Sequence, residues 1–356
     1  MAKILERPTR VAVSSVQHGK DQQPPRTKRF LLWCLANFIA WPLLSLVVKK
    51  LRLFQFLFVV YPGTENNVRA YAPMWFQKIF RGVFQLSVIG VMTRGETTGK
   101  RGLIVTLSET PEDLSRKELL EISERVKWFG KRAGVSSIAL AGRLPTLFDA
   151  NGILLKLPFV KGNMGAVFTI TETVLHLIRA KGIPQDGPIG IVGLGYLGSR
   201  VARRLQELGF PAITGYDIRI TDSSIRGSLV RTNDPNLLRP CRIVIVLTPK
   251  GEDASGVIPC LRDGALIIDD THPQISPSLV HKIEEKGGEV YRSTLGIVGV
   301  RATPRLPGYH KNWLPGCVVE ALVLNGETNG LTSAEFEQRG REIGLKPFLV
   351  SPRGEG

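Results

Sequence analysis

The stretch PIGIVGLGYLGSRVARRLQELGF, residues 188–210, decides the fold. Its apolar run Ile189–Val192 reads as a buried strand, and glycines follow at 193, 195 and 198. Gly193 permits a tight turn off the strand, Gly195 lets backbone approach a pyrophosphate, and Gly198 allows a helix to pack closely against the strand. The helix begins near Tyr196, so the turn Gly195-Tyr196-Leu197-Gly198 offers free N–H groups to phosphate. Nineteen positions beyond Gly198, Asp217 closes the next strand, where a carboxylate accepts hydrogen bonds from ribose hydroxyls. Strand, glycine turn, helix and acid in this register predict a Rossmann-type unit that binds NAD(P)H. Asp217 favours NADH, because a carboxylate repels a 2′-phosphate, while Arg219 two residues on would pair with that phosphate and favour NADPH.

Working outward, further strands read at AITGYDIRI, CRIVIVLTP, GALIIDD and GEVYRS. Ligands of open α/β sheets bind outside the carboxyl ends of the strands, so Thr248 and Pro249 are expected on the nicotinamide side. Asp269, Asp270 and His272 end the following strand, where they either touch the ligands or cap a loop. Upstream, FQFLFVVYPG, LSVIGVM, GLIVTL and SSIALAG read as strands and VRAYAPMWFQKIF as a helix. ETPEDLSRKELLEISERVKWFGKRAG reads as a helix opened by Thr110 and Pro111 and stopped by Gly134. Such alternation implies a mainly parallel sheet. The expected fold class is therefore α/β with two α/β domains, the second of Rossmann type. A substrate domain is expected over 53–162, the NAD(P)-binding domain with its linking helix Met164–Ala180 over 163–330, and a C-terminal helix and tail over 331–356.

Before residue 53 the character changes. Residues 1–29 form a basic arm, with Lys3, Arg7, Arg10, Lys20, Arg26, Lys28 and Arg29 against Glu6 and Asp21. Residues 30–48, FLLWCLANFIAWPLLSLVV, are nineteen without a charge, close to the minimum for crossing a bilayer. A crossing would put the basic arm outside, against the usual bias of Lys and Arg toward the cytoplasm. A membrane-associated segment over 30–52 that lies in the interface avoids this conflict, with Trp33 and Trp41 at headgroup depth. The other reading is a buried helix of the core. The expected location is cytoplasmic, peripheral or monotopic at the inner face of an anionic membrane.

Over the whole chain Lys and Arg number 47 against 31 Asp and Glu. No RNA-binding aromatic signature, finger spacing or helix-turn-helix grammar directs that surplus to nucleic acid. Cys34, Cys241, Cys260 and Cys317 lie far apart without a CxxC, which signals neither a metal site nor a disulfide framework. No motif sets an oligomeric state.

NWLPGCVVEALVLNGE, residues 312–327, places Cys317 at the start of an apolar helix, after a Pro315-Gly316 turn. Free amides and the helix dipole there lower a thiol's pKa, and the same amides could hold an oxyanion. The bland reading is a buried cysteine filling a gap. From about Gly134 to Glu327 the motif order VSSIALAGR, KGNMGAVFTITETVLHLI, GIVGLGYLGSRVARRL, ALIIDDTHP, STLGIVG and CVVEALVLNGE resembles the long-chain acyl-carrier-protein reductases that release fatty aldehyde. The resemblance implies NAD(P)H-dependent reduction of a long-chain acyl thioester, on acyl carrier protein or coenzyme A. It also implies that Cys317 is the residue acylated, with Glu320 and Ala321 keeping the motif's spacing. The family's glycine turn suits NADPH, whereas Asp217 suits NADH.

Asn163, in the Gly-Asn turn before the linking helix, is a candidate to orient the acyl carbonyl or an ordinary N-cap. His310, seven residues before Cys317, could pass a proton to the leaving thiol. Glu172 and His176 share a helix face and form a candidate interface pair. LFDANGILLKLPFV and VFTITETVLHLI are expected as helical faces that could hold an acyl chain or simply build core. Two other readings stay open: direct hydride transfer on a small hydroxy or amino acid with Cys317 inert, and a membrane-tethered NAD(H) sensor without turnover.

Overall fold

The apolar run Phe56–Val60 forms β1, a strand covered on both faces and so free of polar alternation. The structure, a computed structural model, describes residues 30–31, 33–40, 47, 49–61, 86–94, 102–109, 114–297, 299–303, 313–327 and 330–351. Around β1 gather β2 (Leu86–Arg94), β3 (Gly102–Leu107), β4 (Ser137–Leu140) and β5 (Phe159–Val160). β3 and β4 run parallel to β1 and β5 parallel to β4, whereas β2 is antiparallel to β3.

Helix α1 (Arg116–Ala133) opens on a reciprocal cap: the Ser115 hydroxyl accepts from the Glu118 N–H, and the Glu118 carboxylate accepts from the Ser115 N–H at 2.7 Å. Its start therefore lies beyond Thr110 and Pro111, at the residue whose side chain satisfies the first-turn amides. Gly134 ends it in a left-handed conformation, φ 71°. Helix α2 (Leu144–Ala150) is short. The rest of LFDANGILLKLPFV leaves the helix at Asn151, turns at the positive-φ Gly152 and exposes Leu154 and Leu157 before β5, so no continuous helical face exists there. The VRAYAPMWFQKIF stretch lies outside the described residues.

Helix α3 (Asn163–Lys181) carries the chain into a second sheet. It is built from β6 (Ile189–Val192), β7 (Ile213–Tyr216), the hairpin β8 (Ser224–Arg226) and β9 (Leu229–Thr232), β10 (Ile243–Val246), β11 (Leu266–Asp269) and β12 (Glu289–Arg292). The order is β12-β11-β10-β6-β7-β9-β8, parallel throughout except for β8. Setting the hairpin strand β8 aside, this is the doubly wound dinucleotide-binding order, with its reversal between β6 and β10. Helix α4 (Tyr196–Glu207) follows β6, and α5 (Pro277–Glu285) precedes β12. The apolar residues of VFTITETVLHLI are core: Val167, Ile170, Val174 and Leu177 pack with Ile191, Ile243 and Ile268, while Phe168 packs in the cluster of the first sheet.

After β12 the chain crosses back. β13 (Leu295–Gly296) leads to β14 (Val300–Thr303), which joins the first sheet antiparallel to β2. Helix α6 (Gly316–Leu324) packs against α3 and β4. Helix α7 (Ser333–Glu342) and β15 (Lys346–Pro347), paired with β13, complete the chain. A second domain expected to run unbroken over 163–330 is thus divided, because β14 and α6 satisfy their edges and apolar faces on the first sheet.

The start of the described chain also turns inward. Trp33 is 7% exposed, sits in the cluster of Phe56 and Phe168, and stacks on Phe30 at 6.4 Å. Within the short π-helical turn Leu35–Ala40, Asn37 donates to the Val88 carbonyl at 2.9 Å and accepts from the Val88 N–H at 2.7 Å, standing in for a neighbouring strand. Trp33 is therefore core and not a headgroup-level ring. Among the described residues no helix is long and apolar enough to cross a membrane.

An ion network ties α7 to the linking helix and the second unit. Arg204 of α4 donates Nε and Nη2 to the Glu337 carboxylate at 2.7 and 2.8 Å, with Glu337 buried and Arg204 mostly so. Arg341 bridges Glu172 of α3 at 2.6 Å and Glu337 at 3.1 Å. Removing one partner of a buried pair strands the other charge, so Glu337→Ala should cost about 3 kcal/mol in urea unfolding. Arg203→Ala, which breaks only the exposed pair with Glu207, should cost less than about 0.5 kcal/mol.

Candidate active site

The glycine turn lies where the strand order reverses. Gly193 has φ 96°, and a Cβ there would stand 3.0 Å from the carbonyl of Leu247, the residue that follows β10, and 3.2 Å from the Thr248 nitrogen. At Gly198 a Cβ would stand 1.9 Å from the Gly193 oxygen, so helix and turn touch backbone to backbone. Gly195 differs: within 4 Å its Cβ position meets only Arg219 Nη2, at 3.5 Å. Two glycines thus close the turn, and the middle one leaves room over the first amides of α4, whose N-cap makes no side-chain hydrogen bond. These residues fit a dinucleotide pyrophosphate. Thr248 and Pro249 flank the same turn, and the Thr248 hydroxyl donates to the Lys250 carbonyl at 2.7 Å.

Asp217 is not a free carboxylate. It is buried and accepts from Arg219 through Nε at 3.0 Å, Nη2 at 2.9 Å and the backbone N–H at 3.0 Å, and these bonds hold it below the usual carboxylate range. Arg219 itself is 74% exposed and borders Gly195. Arg219 is thus the exposed member of an ion pair whose carboxylate is buried, so Asp217 does not stand as a free repulsive anion.

Near the glycine turn, at the starts of α3 and α6, stand Asn163 and Cys317. Gly162, φ 77°, is the N-cap of α3 and makes no side-chain cap, so Asn163 occupies the first helical position instead of capping. Its amide donates to the Tyr196 hydroxyl at 3.2 Å, joining the linking helix to the glycine turn. The Arg200 guanidinium lies 4.5 Å from the Tyr196 ring centroid. A Cβ at Gly162 would stand 2.8 Å from Cys317 Cβ, so only glycine admits the cysteine at this spot. The capping of α3 comes from outside it: the Glu320 carboxylate accepts from the N–H groups of Gly162, Met164 and Gly165 at 3.1, 2.7 and 3.1 Å.

Cys317 is 8% exposed, at the end of the first sheet's apolar cluster. Burial pushes its thiol up to about 12. The N–H groups of Val318 and Cys317 pull down, as a helix start should, while the Glu320 and Asp270 charges push up. Desolvation outweighs the amides, so the sulfur is a thiol at neutral pH, opposite in sign to the expectation from the helix end alone.

The acids after β11 divide their work. Asp269 is consumed by structure: it accepts from the Thr271 N–H and hydroxyl, the Ile275 N–H and Arg292 Nη1. Asp270 accepts from the Ser293 hydroxyl, and burial lifts its carboxyl to about 6, against the pull of Ser293 and Arg292 and with a further push from Asp269. Burial and Arg292 both lower His272. Paired acids at a strand end give no sign in sequence of which is structural; the loop's turn back toward Ile275 decides it.

Glu172 pairs with Arg341 and not with His176, whose imidazole is lowered by burial and by Arg179. His310 lies outside the described residues. Among the described residues no group of His, Cys, Asp or Glu side chains is arranged to hold a metal.

Fold and glycine turn together define an α/β protein whose second unit has the dinucleotide-binding topology. No family model matches the sequence, and no curated protein matches it. Among solved structures the chain is similar to L-tryptophan dehydrogenase from Nostoc punctiforme, with 9% identity and TM-score 0.42 over 82% of this chain and 80% of that one. Shikimate 5-dehydrogenase from Thermus thermophilus aligns with 15% identity and TM-score 0.40 over 82% and 99%. The bifunctional methylenetetrahydrofolate dehydrogenase/cyclohydrolase of Campylobacter jejuni aligns with 12% identity and TM-score 0.38 over 89% and 96%. At such identities and superpositions nothing is carried from those proteins to residues here.

Proposed function

We propose that the chain is an NAD(P)H-dependent oxidoreductase that reduces a long-chain acyl thioester, on acyl carrier protein or coenzyme A, to an aldehyde through Cys317. The observation that supports this reading is a chain of contacts joining three elements: Cys317 against Gly162, Asn163 on Tyr196, and Tyr196 at the glycine turn. The bound cofactor would supply hydride. Asn163, whose amide donates to the Tyr196 hydroxyl, would donate to an acyl oxygen, and the buried thiol would be kept from water until it is deprotonated. A second reading is direct hydride transfer on a small hydroxy or amino acid; the protonated, buried state of Cys317 favours it. Mixing the protein with a long-chain acyl-CoA without cofactor, then mapping mass, separates them. An acyl adduct on Cys317, abolished in Cys317→Ala, is expected; no adduct, with hydroxy- or amino-acid oxidation retained in Cys317→Ala, establishes the second reading.

Cofactor choice follows from Arg219. Its exposed guanidinium is the group available to a 2′-phosphate, so NADPH binds more tightly than NADH. Arg219→Ala should weaken NADPH binding by roughly 10- to 100-fold in a fluorescence titration and leave NADH within about threefold. Equal losses for both would refute this role.

Attachment to an anionic membrane surface rests on Leu31, Leu35, Val47 and Leu51, each at least half exposed, beside the exposed Lys49, Lys50 and Arg52. Both leucine-bearing pairs are spaced four apart, opposite in sense to the buried Trp33. The full chain should sediment with anionic vesicles and not with neutral ones, and Leu31→Glu with Leu35→Glu should release it; equal sedimentation of that variant overturns the surface.

A further inference from the structure

We infer that the last turn of α1, carrying Trp128, Lys131 and Arg132, belongs to the surface that meets an anionic lipid interface, with the Trp128 ring at headgroup depth; this rests on the membrane reading of residues 30–52. Helix α1 buries its other large apolar side chains: Leu119, Ile122, Val126 and Phe129 pack with Leu57 and Val59 of the first sheet. Trp128 does not follow them. It is 57% exposed, on the charged face of the helix, with the Arg132 guanidinium 5.1 Å from its ring centroid. An indole left in water forgoes the burial that is its main contribution to a fold, whereas at a lipid interface both the ring and a neighbouring cation find suitable surroundings.

Position is the second observation. Trp128, Lys131 and Gly134 follow one another at three-residue steps and so form one row along the end of α1. The row runs into the segment that carries the exposed lysines: a Cβ at Gly134 would stand 3.3 Å from Lys49 Cα and 3.4 Å from its Cγ. Just beyond, the Gln55 carbonyl accepts from the Ser136 N–H at 3.0 Å and from the Ser136 hydroxyl at 2.9 Å, which holds the two segments together. Between Lys49 and Gln55 the chain turns at Arg52, whose φ of 47° is a left-handed conformation that favours glycine. A cation is kept there all the same.

Charge identifies the occupant. Lys49, Lys50, Arg52 and Lys131 are exposed and Arg132 is half-buried, so cations gather around the exposed Trp128 and Leu51. The acids on this face of α1, Glu124 and Glu121, lie one and two turns nearer its start, and Glu124 is paired with Lys127. At the end of α6, where Gly326 meets Ser136, Glu327 is paired with Arg339. The basic stretch 1–29 leads into the same segment. Such a surface fits a negatively charged bilayer, in which rings and aliphatic side chains enter the interface while ammonium and guanidinium groups stay with the phosphates. The row stands at the amino ends of β1 and β4, whereas Gly162 and Cys317 meet beyond the carboxyl end of β5, which is parallel to β4. Substitutions on it therefore leave the contacts around Cys317 untouched.

The test uses the full chain with vesicles of phosphatidylglycerol mixed with phosphatidylcholine. Lys131→Glu with Arg132→Glu should weaken binding to them, read by sedimentation, by roughly tenfold or more. Trp128→Ala should weaken it by roughly fivefold or more. A second measurement reports where the ring sits and does not depend on the alanine variant folding. With brominated acyl chains in the vesicles, the tryptophan emission that the wild type has and the conservative variant Trp128→Phe lacks should be quenched, because bromine quenches only rings that enter the interface. Wild-type binding that both α1 variants leave unchanged, or Trp128 emission that brominated lipid does not quench, overturns the inference while attachment through residues 30–52 stands. Failure of the wild type to bind the anionic vesicles at all overturns the membrane reading and the inference with it.

Discussion

The site depends on one buried carboxylate. Glu320, on the first turns of α6, accepts the free amides at the start of α3, a helix that has no cap of its own. Burial pushes its carboxyl up against the pull of the three amides, and burial wins, so those donors are what offset the cost of enclosing it. Around this bond the helices meet backbone to backbone: a Cβ at Gly165 would stand 1.9 Å from the Gly316 oxygen, and one at Gly316 would stand 2.6 Å from Ala166 Cα. That approach brings Cys317 against Gly162 and sets Asn163 facing the glycine turn. The motifs Gly-Asn and Cys-x-x-Glu-Ala, far apart in sequence, are the two halves of a single contact.

A second constraint acts across the units. Helix α3 is a shared wall, giving Phe168 to one core and Val167, Ile170 and Val174 to the other. The α7 network clamps it from outside through Arg341 and, on α4, through Arg204. The crossing segment Ser293–Gly296 returns beside it, with the Thr294 N–H donating to the Thr173 hydroxyl at 3.2 Å. The shared helix is therefore held from both units. Beside it lie the buried thiol of Cys317, the Asn163 amide on Tyr196 and, bordering the glycine turn, the exposed Arg219.

Local sequence determined much of the architecture. The glycine turn, the parallel strands of the second unit other than β9, the linking helix and the helix at Cys317 read directly, as did the helix ending at Gly134 except for its start, because each is written in near-neighbour periodicity and in positions only glycine tolerates. Tertiary packing decided the rest. β14 pairs with a strand some 200 residues earlier, and α6 finds its apolar partner on the first sheet, so a domain boundary drawn along the chain could not follow the fold. The run at 30–48 shows no charge, and absence of charge alone does not distinguish lipid from protein core; Trp33 and Asn37 found protein partners. The sign of the Cys317 shift, the occupation of Asp217 by Arg219 and the division of labour between Asp269 and Asp270 are sums over groups remote in sequence. Electrostatic environment is a property of what surrounds a residue in space, and the chain specifies it only once it has folded.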